Sequence, residues 1–139
     1  LLVREMSQAG NDNLTDAEFL RRFEAHALED FSHRDHIRVA FAYARRGGLR
    51  AAVDGSRRIQ GFAEALGAPR KYHETMTVGW AHIVGRRAVA SAPLPFPAFV
   101  DAHPELLRRD LLSAHYSREL LGSARARAAF VEPDLAPLP

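Results

Sequence analysis

The sequence predicts an all-α protein: a single-domain, irregular helical bundle of about five to seven helices with an extended, proline-rich C-terminal tail. Three observations carry this. Helix-start signals precede apolar residues at i, i+3, i+4 spacing along most of the chain. No alternating strand pattern persists beyond a few residues. The 139 residues, 47% of them hydrophobic, include no cysteine; that length fills one domain with a core that needs neither disulfides nor a thiolate-held metal.

The elements follow in order. Residues 1–14 read as a flexible N-terminal segment ahead of a helical domain over 15–139. Leu1 to Glu5 carry no signal-peptide pattern, Met6 is a candidate first residue, and the expected location is cytoplasmic. Thr15 and Glu18 have capping-box spacing, and Phe19, Leu20 and Phe23 form a stripe, which predicts a helix from Asp16 to Ala27. Ser32 with Asp35 starts a second helix, which Gly47-Gly48 stops. A third is expected from Leu49 to Leu66, ended by Gly67 and Pro69. A fourth is expected from Arg70 to Ala90; its middle, Met76 to Gly85, is apolar nearly all round, as in a central helix. Pro93 to Pro97 reads as a packed crossing loop. Short helices are then expected over Phe96–Ala102, Pro104–His115, and from Ser117 or Ser123 to Phe130, before the tail Val131–Pro139.

Charge excludes some classes of partner. The net charge is +2, and the Arg-Arg pairs starting at Arg21, Arg45, Arg57, Arg86 and Arg108 are dispersed rather than gathered on one face, so no nucleic-acid partner is expected. No apolar run approaches the roughly 20 residues needed to span a bilayer, so no membrane partner is expected either.

Two clusters carry candidate chemistry. His33 and His36 are three apart on one helical face, which continues into Ile37, Ala40, Tyr43 and Ala44. In a first helical turn the macrodipole disfavours imidazolium, and neutral imidazole is the form that binds metal or acts as a base. Tyr72-His73-Glu74 opens the fourth helix, with Glu74 on an otherwise apolar stripe. A buried carboxylate needs a partner, and Arg38 is a candidate. If the second and fourth helices pack parallel, the clusters meet. His33, His36 and His73 could then hold one zinc, iron or manganese ion with an open position. The same residues could form a metal-free acid–base site in which His73 and Glu74 are catalytic and Arg38 is a clamp. Tyr72, Thr77 and Trp80 are candidate substrate contacts. No Glu-x-x-His and no His-Glu-x-x-His occurs, which removes the carboxylate-bridged di-iron and zinc-peptidase patterns. Among the remaining histidines, His26 and His103 have ordinary cap or loop explanations, and His82 stays open between core and pocket.

The motifs Phe31-x-His33-x-Asp35-His36-x-Arg38-x-Ala40 and Tyr72-His73-Glu74-Thr75-x-Thr77 resemble those of a group of small uncharacterised bacterial proteins. The resemblance extends through Asp110-Leu111-Leu112, Tyr116-Ser117 and Val131-Glu132-Pro133-Asp134-Leu135. It implies no reaction or cofactor and supports only the choice of positions.

The leading expectation is a small soluble enzyme acting on an organic small molecule. The alternative is a non-catalytic ligand- or partner-binding protein whose His, Asp, Glu and Arg residues form a structural hydrogen-bond network.

Overall fold

The computed structural model describes residues 10–139, and all regular structure among them is helical. The expected N-terminal start at Met6 lies outside these residues. No helix among them is long and apolar enough to cross a membrane.

Helix α1 (Asp16–Glu24) begins as expected, with the Thr15 hydroxyl accepting the Glu18 amide. It ends a turn earlier than its apolar pattern suggests. His26 adopts φ 55°, the Ala27 amide reaches back to the Arg22 carbonyl and the His26 amide to that of Phe23. These two bonds form a Schellman close, with histidine in the left-handed position usually taken by glycine.

Helix α2 (His33–Ser56) opens on the Ser32–Asp35 capping box, both reciprocal bonds being made. Two helical arms meet at Gly47-Gly48, whose backbone angles are not helical, and the chain reverses there. A Cβ placed on Gly55 would lie 2.2 Å from the Tyr43 ring, whereas residues 12 apart in a continuous helix are about 18 Å apart. Gly48, at φ 83° and ψ −165°, occupies a region essentially reserved for glycine. The expected stop is therefore a tight helical hairpin with arms 33–46 and 49–56.

The expected third helix is divided. After Ser56 the chain makes three-residue bonds at Arg57–Gln60 and re-forms as α3 (Ile59–Ala65). The expected fourth helix also starts late. Pro69–Lys71 is a 3-10 turn, Tyr72 and His73 are extended, and α4 runs over Glu74–Ala90.

The short elements are α5 (Phe96–Ala102), 3-10 turns at Pro104–Leu107 and Leu111–Ala114 in place of one helix to His115, α6 (Arg118–Leu121) and α7 (Ala124–Ala128). Ser117 and Ser123 each cap one of the last two, so the two candidate start signals were both used. Residues 129–139 are tied to the body. The Thr75 hydroxyl donates to the Ala129 carbonyl and accepts the Val131 amide, and the Tyr116 hydroxyl donates to the Val131 carbonyl.

Helix α4 packs against both arms of α2. Arg45 donates to the Ala88 carbonyl and the His33 ring meets Trp80, so the first arm runs parallel to α4. Gly85 abuts Ala52 and Leu49 while Arg57 meets Glu74, so the second arm runs antiparallel. Residues 37–44 are buried on every face. Ile37 and Phe41 pack toward α4 and α5, and Val39 and Tyr43 toward α1 and α3. The centre of the fold is thus shared between α4 and the first arm of α2.

Of the expected flexible segment 1–14, the described part is anchored. Arg38 donates to the Asn11 and Leu14 carbonyls at 2.6 Å each, and the Asn11 side chain donates to the Asp30 carbonyl.

Candidate functional site

A cavity of about 290 Å³ opens between the first turns of α2, the end of its second arm and the first half of α4. His33, His36, Tyr72, His73, Thr77 and Trp80 all line it. The two sequence clusters therefore face one space, as the parallel packing of α2 and α4 requires. The rest of the wall is largely apolar, with Ala40, Ile59, Met76 and Ala81 contributing.

The polar groups differ in how much capacity they retain. His33 donates through Nε2–H to the Leu106 carbonyl at 2.9 Å, which fixes its tautomer and leaves the lone pair on Nδ1. His36 donates through Nδ1–H to the Ser32 carbonyl at 3.1 Å, which leaves the lone pair on Nε2. Its ring rests on Phe31, with centroids 4.5 Å apart. Burial pushes the His33 pKa down, and that of His36 down to about 3. Both are neutral imidazoles at neutral pH, as the sequence suggests, but desolvation is the main cause.

His73 is spent. Its Nε2–H donates to the Leu121 carbonyl at 2.7 Å, and its Nδ1 accepts the Met76 amide at 3.1 Å. It is the N-cap of α4, so it has no lone pair left for a metal or for a substrate proton. This corrects its assignment both as a ligand and as a base. Glu74 is likewise engaged: Arg57 donates to one oxygen at 2.8 Å and the Tyr72 hydroxyl to the other at 2.6 Å.

Arg38 is corrected as the partner of Glu74. It points to the opposite side of α2, bonding Asp16 as well as the two N-terminal carbonyls, with its guanidinium 4.9 Å from the Phe19 ring centroid and 5.4 Å from that of Phe96. Two positions decide this: Arg38 follows His36 by about 200° around the helix, and Arg57 arrives from the end of the second arm instead. Tyr72 contributes its ring to the cavity and its hydroxyl to Glu74. Thr77 and Trp80 line the wall, Trp80 edge-on to His33 at 4.8 Å.

The three-histidine metal centre is not assembled. Among the described residues no group of three or more histidine or carboxylate side chains is arranged to hold a metal ion. His33 and His36 could offer two nitrogens, and the third nitrogen of the expected set is consumed by helix capping.

Sequence reasoning missed Ser56. Its side chain lines the cavity, the residue is 2% exposed, and its hydroxyl has no hydrogen-bond partner. A serine in the middle of an expected helix carries no signal, because no glycine or proline marks the break at Arg57-Arg58 after it. Lys71, Arg109 and Arg127 were missed as well, since each reaches the cavity from a loop or a short helix.

No protein-family model, curated protein or solved structure matches this chain. Its site is read from its own geometry.

Proposed function

We propose that the chain works as a single helical domain, closed by its proline-rich tail, whose cavity binds a small organic molecule. One observation carries this reading. A largely apolar cavity holds two neutral imidazoles, each tied to a backbone carbonyl through one nitrogen and keeping a lone pair on the other, beside a buried hydroxyl with no partner. Convergent polar groups on an apolar wall are the usual composition of a small-molecule site. His36 and His33 are the polar contacts, and Trp80 and Met76 are the apolar floor.

An enzymatic reading stands second. It assigns His36 as a general base acting through Nε2. A base with a pKa near 3 has little driving force at neutral pH, so catalysis requires a bound substrate that raises it. His73, Glu74 and Arg38 belong in both readings to the scaffold.

Trp80 is the only tryptophan, so its emission reports on the cavity. The test titrates a panel of metabolite-like organic acids, alcohols and amides against the purified chain, following Trp80 emission and thermal stability. A saturable change that is lost in His36→Phe supports the reading. If no compound alters either signal while Ala81→Leu, which fills the cavity, raises Tm, the space is a packing gap and the reading fails.

A further inference from the structure

We propose that the ligand of this cavity is a hydroxylated organic acid with an apolar body, its carboxylate held at Lys71 and its hydroxyl at the histidines. This rests on the cavity being a binding site, and it adds the chemical class.

The charge around the cavity is one-sided. Lys71, Arg109 and Arg127 reach it from three separate segments, and no carboxylate lines it. Three cations outside the cavity pair with carboxylates: Arg38 with Asp16, Arg34 with Asp12, Arg87 with Glu105. Glu74, the acid closest in sequence, is held by Arg57 and the Tyr72 hydroxyl. Arg127 already donates to the Arg70 and Tyr72 carbonyls. Lys71 is exposed, and among the described residues no carboxylate pairs with it. A cleft with low-dielectric walls and cations on one side concentrates anions.

The interior asks for complementary groups. The neutral rings of His33 and His36 present acceptors, which require a donor on the ligand. A carboxylate has none, but a hydroxyl does. The partnerless Ser56 hydroxyl can donate to either ligand oxygen. The apolar wall sets the body: an apolar cavity of about 150 Å³ admits benzene, so the roughly twofold larger space accepts one ring with a short acidic arm.

Calorimetric titration of the whole chain with para-hydroxyphenylacetate, its primary amide and phenylacetate tests the class, with the para-hydroxyphenylpropanoate series covering one methylene more. The expected result is that the hydroxy acid binds about tenfold more tightly than its amide, the ratio of one charge-assisted contact. Lys71→Met, a surface change, removes that ratio. Phenylacetate binds more weakly than the hydroxy acid, and His36→Phe removes this difference. Equal binding of acid and amide overturns the anion assignment and leaves the cavity reading standing. Equal binding of hydroxy and deoxy acids overturns the hydroxyl assignment alone. If none of these probes binds while other compounds shift Trp80 emission, the class is wrong. If nothing binds and Ala81→Leu stabilises, both readings fall.

Discussion

Acidification below neutrality should destabilise this protein through its histidines. His33, His36 and His73 each donate one ring N–H to a backbone carbonyl in a desolvated setting, and burial holds the pKa of each below the ordinary value of 6.5. Above that value folded and unfolded chains bind the same protons at these sites, so stability is level. Below it the unfolded chain takes up protons that the folded chain refuses, and stability falls with pH. For His36, with a folded value near 3, the loss from about pH 7.5 to about pH 5.5 is about 1.4 kcal/mol, and the slope continues at that size per pH unit until the folded ring titrates. His33 and His73 add at most the same each. The total, between about 1.4 and about 4 kcal/mol, is a large part of the roughly 5–15 kcal/mol that holds a domain together. Glu18 is held down at about 2 by Arg21 and Arg22 and acts only below 4.5, whereas burial raises the Asp35 pKa, so its folded carboxyl takes up a proton first and opposes the histidines; the His36 variant isolates the ring's share. Urea denaturation followed by far-UV circular dichroism at several pH values measures the slope, and His36→Gln should reduce it by one proton. A slope between about pH 7.5 and 5.5 that is unchanged in the variant would refute the reasoning.

Other substitutions test particular contacts. Ser56→Ala removes a buried, partnerless hydroxyl and should stabilise the unliganded chain by about 1 kcal/mol, read as a Tm rise of a few degrees; a loss of similar size would show the hydroxyl to be bonded. Gly55→Ala should destabilise by about 1–3 kcal/mol despite alanine's better helix propensity, because the new Cβ lies within 2.6 Å of three Tyr43 ring atoms; chemical denaturation decides. Thr75→Val keeps the shape but strands the Ala129 carbonyl and Val131 amide, so a loss of about 2–4 kcal/mol and faster proteolysis near the tail are expected. Arg38→Met should cost about 3–5 kcal/mol in urea, since it leaves the buried acceptors of Asn11 and Leu14 without a donor; a loss under about 1 kcal/mol would return Arg38 to the list of available functional groups.

Local signals were read well from the sequence. The Ser32–Asp35 box and the Thr15 cap depend on residues within four positions of one another, and those distances are fixed by helix geometry; Ser117 and Ser123, alternative starts of one helix in the sequence, each cap a helix of their own. The stop at Gly47-Gly48 was legible for the same reason. What was not legible depended on partners far along the chain. The break at Arg57-Arg58 has no glycine or proline to mark it, and Arg57 leaves the helical path where it meets Glu74, 17 positions on. His73 looked like a free imidazole because histidine is an uncommon N-cap; its second bond goes to Leu121, 48 positions away. Arg38 misses Glu74 because its acceptors, two carbonyls and the Asp16 carboxylate, lie in and just after an N-terminal segment that composition alone marks as flexible.

The comparison of His36 with His73 shows what separates a scaffold histidine from a candidate functional one. Both are inward-facing, both lie at the opening of a helix and both are neutral. In His73 each ring nitrogen has a backbone partner, so the fold has consumed the whole side chain, and its removal should cost stability first. In His36 the carbonyl of Ser32, one turn back on the same helix, takes only the donor. Such a local bond orients the ring without needing any tertiary partner, and it leaves Nε2 to whatever fills the cavity. Ser56 repeats the pattern from the opposite wall, since its backbone closes the helical arm while its hydroxyl is left without a partner. Two groups from distant parts of the chain, each with unspent hydrogen-bonding capacity on the same apolar space, fit a third molecule better than they fit a packing requirement: packing alone would have been served by an apolar side chain at either position.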